Sequence, residues 1–178
     1  MLYTELRHGD ILLFTHKEKA TFLQKLIRLI EGSSFVHSAA VREVDGKLYI
    51  LEALTLRTLS YAPFYYLEDA EEVFCFRPTF NLPEINEKSF WRHEPYGYLC
   101  LADSALNHFL HRLTFGCWTF KPIFQQLFRY RAMDCSVLVA NMLEVSANTS
   151  WCKYNDVVEP DDYALHPSDF VPMGQVMR

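Results

Sequence analysis

Two short runs rich in β-formers, residues 35–42 (Phe-Val-His-Ser-Ala-Ala-Val-Arg) and 47–53 (Lys-Leu-Tyr-Ile-Leu-Glu-Ala), flank the dipeptide Asp45-Gly46, and this constrains the fold more than any other feature. Asp-Gly between such runs predicts a β-hairpin, because a two-residue type I′ turn needs positive φ at both central residues. With Asp45 and Gly46 at the centre, Val44 faces Lys47, Ala39 faces Glu52 and His37 faces Leu54. His37 and Glu52 then share a face as diagonal neighbours, roughly 7–8 Å apart at the backbone and within reach of a glutamate-to-imidazole bond. A three-residue loop would place them on opposite faces. The plain alternative is a polar pair on the solvated side of an antiparallel sheet. The neighbours count against it: Ala39, Val41, Ile50 and Leu54 make the shared face too apolar to turn to water.

A second chemically informative segment is 133–143, Met-Asp-Cys-Ser-Val-Leu-Val-Ala-Asn-Met-Leu, which places Cys135 at the expected start of an apolar helix. Asp134 suits the N-cap. Cys135 would then stand in the first turn, where free backbone N–H groups and the helix dipole favour a thiolate. The same N–H groups could hold an oxyanion. A cysteine nucleophile needs a base and a group that orients the base, and His37 and Glu52 are the candidates for those roles.

Four stretches in order, Arg7-His8-Gly9-Asp10-Ile11-Leu12-Leu13-Phe14, Ser34-Phe35-Val36-His37-Ser38-Ala39-Ala40-Val41, Ile50-Leu51-Glu52-Ala53 and Asp134-Cys135-Ser136-Val137-Leu138-Val139, resemble the circularly permuted branch of the NlpC-type papain-like superfamily, in particular its YiiX-like cysteine hydrolases. In that branch a histidine opens a strand after a serine-containing turn, a polar third member follows on the next strand, and the cysteine comes last on a helix. The resemblance implies a Cys135–His37–Glu52 triad and a permuted papain-like domain. Pro160-Asp161-Asp162-Tyr163-Ala164 is similar to the segment that follows the cysteine helix in relatives. Family members commonly have tyrosine just before the cysteine and glutamate two residues after it, where this chain has Asp134 and Val137.

The 178 residues, half of them hydrophobic, suit one catalytic domain over residues 1–178 with a substantial core. A net charge of -5 without a long Lys/Arg run argues against a nucleic-acid partner. Five cysteines, Cys75, Cys100, Cys117, Cys135 and Cys152, form no CxxC pair and leave an odd number, which reads as reduced thiols rather than a disulfide framework. The sequence shows neither a signal-peptide pattern nor an apolar run of membrane-spanning length, so the expected location is cytoplasmic, with phage or virion association as an alternative.

Hydropathy patterning predicts a strand over 11–14, a helix from a Thr15-His16-Lys17-Glu18 capping box to Gly32, the hairpin, and a strand over 73–77 closed by Pro78. Helices are then expected from Pro83 toward His93, over 98–113, over 122–129 and after Asp134. The segment 151–178, with Pro160, Pro167 and Pro172, is expected to be mostly loop wrapping the domain. The class expected is α+β, an antiparallel sheet packed against helices. The aromatic residues, 15% of the chain, are assigned mostly to the core, with a groove for a glycan, peptide or acyl chain as the alternative.

Other candidates have plainer explanations. His108 and His111 lie three apart without a second pair at zinc spacing, and Cys117 reads as a buried thiol. Asp10 is a candidate supporting group through the family motif, with a turn before the first strand as the alternative. Tyr96 is a candidate substrate-binding residue in Pro95-Tyr96-Gly97-Tyr98, with a helix-entry aromatic as the alternative. The resemblance implies a cysteine peptidase or amidase acting on a peptide or cell-wall amide, with no metal or organic cofactor. The alternatives are an acyltransferase or lipid hydrolase of the lecithin:retinol acyltransferase-like type, which would take an acyl-containing substrate, and a non-catalytic binding or structural protein.

Overall fold

Asp45 and Gly46 have φ of 50° and 73°, and the two-residue turn they form joins β2 (Phe35–Val44) to β3 (Lys47–Leu54). Val44 pairs with Lys47 and Ala39 with Glu52. This is the register expected for a two-residue loop. The computed structural model describes residues 1–15, 34–54, 57–62, 72–80, 160–165 and 167–177, together with Leu106, Leu113, Thr114 and Val139.

The hairpin forms part of a six-stranded antiparallel sheet. β1 (Ile11–Thr15) lies between β2 and β5 (Val73–Pro78), β4 (Arg57–Ala62) continues outward from β3, and β6 (Phe170–Gln175) flanks β5, giving the order β4-β3-β2-β1-β5-β6. β1 has an unbroken apolar run because it is central and covered on both faces, as its buried Ile11, Leu12, Leu13 and Phe14 show. Alternation divides the residues between two faces. One face carries Leu12, Phe14, Ala39, Val41, Ile50, Val73 and Cys75, which form a buried cluster with Leu6. On the other, Phe35 packs edge-on against Phe74 and Phe76. There the short helix α1 (Pro160–Leu165) packs against β2 and β6, with the fully buried Tyr163 edge-on to Phe170.

The expected α+β class, a permuted papain-like domain with its sheet packed against helices, is corrected by this architecture. The described residues form mostly antiparallel sheet, with one 3-10 turn at Tyr3–Glu5 and the six-residue α1. Two strands had escaped the sequence reading, each for a physical reason. In β4, Arg-Thr-Leu-Ser-Tyr-Ala mixes polar and apolar residues too closely for its short span to stand out. β6 lies in the segment expected to be loop, and contains Pro172 and Gly174, ordinarily strand breakers. An edge strand tolerates proline because one side of its backbone has no ladder partner to satisfy. The register shift opposite Cys75 and Phe76 is the accompanying irregularity.

Leu106, Leu113 and Val139 are helical, at positions where helices were expected, and Val139 is fully buried whereas Leu113 is exposed. The remaining positions of the helices expected over 98–113 and after Asp134 lie outside the described residues, as do those over residues 16–32, 83–93 and 122–129. No helix among the described residues is long and apolar enough to cross a membrane.

Candidate functional site

The hairpin register brings His37 and Glu52 together on the apolar face. His37 Nε2 lies 3.0 Å from Glu52 Oε2. A carboxylate can only accept, so an Nε2–H donates and the lone pair of the neutral ring falls on Nδ1. Ala39 stands directly opposite Glu52, two residues from His37. Its single methyl group leaves the diagonal open for the glutamate to cross to the imidazole.

The two side chains differ sharply in their access to water. Glu52 is 0% exposed and His37 21% exposed. Removing a carboxylate from water without a partner costs several kcal/mol, more than the roughly 1.5–3 kcal/mol that a buried leucine contributes. A glutamate at this position is therefore maintained by its bonds, with the more accessible imidazole as one partner. Such an arrangement, a dry anchor and a ring that meets solvent, orients one imidazole nitrogen against a carboxylate. Phe14, opposite His37 in the β1–β2 pair, places its ring centroid 5.3 Å from the imidazole at a 48° tilt.

Asp10 belongs to a different structure. Its backbone N–H donates to Arg7 O, closing a turn in which Gly9 has φ 88°, as required at the third position of a type II turn. Its carboxylate accepts from Arg7 N at 2.8 Å, and from Arg77 Nε and Nη2 at 2.7 and 2.8 Å. Arg77 Nη2 also donates to Glu5 O. Asp10 is thus committed to a two-pronged cross-strand ion pair that fastens the start of β1 to β5 and to the N-terminal turn. It lies four residues before Phe14, roughly 13 Å along the strand from the His37 level. The structure supports the turn reading of Asp10 and does not bring it to the His37–Glu52 pair.

Cys75, on the same face as that ion pair, is fully buried. Burial, followed by the negative charge of Asp10, pushes its thiol up to about 12; Arg77 opposes the shift, and a hydrogen bond to Asp10 adds to it. Such a thiol is inert. At the turn tip, His8 Nδ1 accepts the backbone N–H of Glu43. Burial and then the Arg42 charge lower the His8 pKa, with Glu43 opposing them.

Cys135 and Tyr96 lie outside the described residues, as do His108, His111 and Cys117. Sequence reasoning missed Phe14 and Arg77. The apolar run of β1 marked Phe14 only as core. Arg77, ending Val-Phe-Cys-Phe-Arg, gave a weak signal: a cation at the end of an apolar strand calls for a partner, and Asp10 at the start of β1 supplies it. Among the described residues, no group of three or more His, Cys, Asp and Glu side chains is placed to hold a metal ion.

No protein family and no curated protein matches the sequence. Among solved structures, the chain is similar to the crystal structure of the metalloprotein YiiX from Escherichia coli O157:H7, with 16% identity and a TM-score of 0.46, the likeness covering 80% of this chain and 67% of that one.

Proposed function

We propose that the chain is a cysteine hydrolase that cleaves an amide bond in a peptide or peptidoglycan-type substrate, with Cys135 as nucleophile, His37 as base and acid, and Glu52 as the group that orients the base. The observation that carries this reading is the 3.0 Å contact between His37 and a fully buried Glu52. The ordered resemblance of the sequence to YiiX-like hydrolases supplies the cysteine.

In this mechanism His37 Nδ1 takes the proton from the Cys135 thiol, and the sulfur attacks the amide carbonyl carbon. Were a helix to begin at Asp134, as the sequence leads one to expect, its first backbone N–H groups would stabilise the oxyanion. Collapse of the tetrahedral intermediate breaks the C–N bond, the amine leaves with the proton held on Nδ1, and a thioester remains on Cys135. A water molecule then gives a proton to Nδ1 and attacks the thioester. Carboxylic acid and free thiol are regenerated. Glu52 accepts the Nε2–H and so stabilises the imidazolium.

The test is cleavage of peptide and cell-wall peptide pools in ¹⁸O-labelled water. The expected products are an amine and a carboxylic acid carrying one solvent oxygen, formed by the native chain and not by Cys135→Ala. Cleavage that persists in Cys135→Ala would remove the proposed nucleophile. Transfer of the acyl group to an added alcohol or amine in preference to water would assign an acyltransferase instead.

A further inference from the structure

We infer that His8 is a pH-operated latch between the N-terminal turn and the β2–β3 hairpin, its neutral ring holding the backbone N–H of Glu43 and its protonated ring releasing it. β1 begins at Ile11, opposite Ala40, whereas β2 runs on to Val44. The end of β2 therefore needs other partners on that side. Val41 and Glu43, two apart, direct their backbone groups to the same side of the strand. Backbone groups of the turn serve the first of these positions: Gly9 N–H donates to Val41 O at 2.8 Å, and Val41 N–H donates to Asp10 O at 2.7 Å. The main chain then bends away into the tight turn, closed by Asp10 N–H on Arg7 O. At Glu43 a side chain takes over. His8 Nδ1 accepts that N–H at 3.2 Å, in the role that a carbonyl of a neighbouring strand would play.

An imidazole differs from a carbonyl in that it titrates. Protonation places a hydrogen on Nδ1, so that both ring nitrogens donate and neither accepts. The bond to Glu43 N–H then gives way to two donors facing each other. Because the ring meets solvent, the proton arrives without any opening of the core, and water takes over the released N–H. The charges that set the balance come from β2: the Arg42 guanidinium repels an imidazolium and the Glu43 carboxylate attracts it, while burial of part of the ring opposes the charge. Burial and Arg42 prevail. In the turn itself, the Asp10 carboxylate is held by Arg77 and by the N–H of Arg7, and β3 places Leu48 opposite Glu43 and Tyr49 opposite Arg42. The latch is accordingly closed at neutral pH and opens as pH falls below the ordinary histidine value. It frees the hairpin end from the turn, which stays fastened to β5 by Asp10 and Arg77. His37 lies six residues back along β2, about 20 Å away, so the latch works independently of the proposed catalytic pair.

The experiment is amide hydrogen exchange read by NMR from pH 8 to pH 5 on the native chain, His8→Gln and His8→Ala, each rate referred to the intrinsic rate at that pH. The His8 ring is titrated in the same native sample. Protection of the Glu43 amide is expected to fall at least about threefold, in step with the His8 titration, while the Val41 amide, held by a backbone carbonyl, keeps its protection. Glutamine offers an acceptor that does not titrate, so His8→Gln should remove the pH dependence. His8→Ala should leave Glu43 weakly protected at every pH. The Glu43 carboxylate titrates in all three chains, and the difference between them isolates His8. Glu43 protection that stays constant through the His8 titration, falls equally in His8→Gln, or is as high in His8→Ala as in the native chain would overturn the inference. A parallel loss at Val41 would overturn it as well, because the opening would then extend beyond the latch. Should either variant fail to fold, the native titration alone decides.

Discussion

Asp10→Ala tests whether the Asp10 carboxylate is a structural tie or part of the reactive site. The substitution removes three hydrogen bonds, one from Arg7 N and two from Arg77. It also strands the Arg77 guanidinium beside the buried Cys75. Breaking a buried ion pair by deleting one member costs about 3–5 kcal/mol. Arg77 is 22% exposed whereas Asp10 is 1% exposed, so water recovers part of the loss, and about 2–3 kcal/mol is expected. For a domain of this size that lowers Tm by roughly 4–12 °C. Asp10→Asn keeps an oxygen to accept from Arg7 N or Arg77 but loses the charge, for a loss of about 1–2 kcal/mol. Urea unfolding with and without Arg77→Met completes a double-mutant cycle, with a coupling of about 1–2 kcal/mol expected. Asp10→Asn should leave the reactivity of Cys135 unchanged. A loss under about 0.5 kcal/mol in Asp10→Ala, or coupling indistinguishable from zero, would refute the tie.

Further outcomes follow from the turns and from the other titrating groups. Gly46→Ala should cost about 1–2 kcal/mol in urea unfolding, because a positive φ opposes any Cβ; nothing lies within 4 Å of the added atom, so the loss is one of backbone conformation alone. With its thiol held near 12, Cys75 should alkylate in the folded protein at pH 8 roughly three orders of magnitude more slowly than a free cysteine, and mass mapping after brief iodoacetamide treatment reads this directly. Because the folded-state pKa of His8 is lowered, its contribution to stability is complete above the ordinary histidine value and is lost as pH falls below that value through the folded one. The native chain should accordingly lose more stability than His8→Gln between pH 8 and pH 5, as measured by urea midpoints.

The hairpin was legible because two turn residues fix both register and face. Once Asp45 and Gly46 are the central pair, Ala39 must meet Glu52, and the diagonal from His37 follows. The face could be assigned to the interior because Val41 and Ile50 are too apolar for water. Long-range partners were not legible. Nothing local says that the cation of Arg77 closes on Asp10, 67 positions away in sequence, or that Phe14 meets an imidazole rather than another core residue, since both contacts depend on which strands become neighbours. β6 was hidden by Pro172 and Gly174, whose usual meaning as breakers is reversed at a sheet edge. Asp10 shows both readings side by side: the family motif allowed a group beside the site, a turn before the first strand was the plainer explanation, and the Arg7–Asp10 turn and the Arg77 pair account for its burial.

The most direct test of the central claim is the labelling rate of each cysteine at pH 6 by a thiol-directed electrophile, compared among the native chain, His37→Ala and Glu52→Gln. A thiol activated by an oriented imidazole reacts where ordinary cysteines stay protonated. The account predicts that Cys135 is labelled at least about tenfold faster than any other cysteine, that His37→Ala abolishes the advantage, and that Glu52→Gln reduces it in part. Equal labelling of Cys135 and the remaining accessible cysteines, or an advantage untouched by His37→Ala, would contradict the claim that the His37–Glu52 pair serves a nucleophilic cysteine.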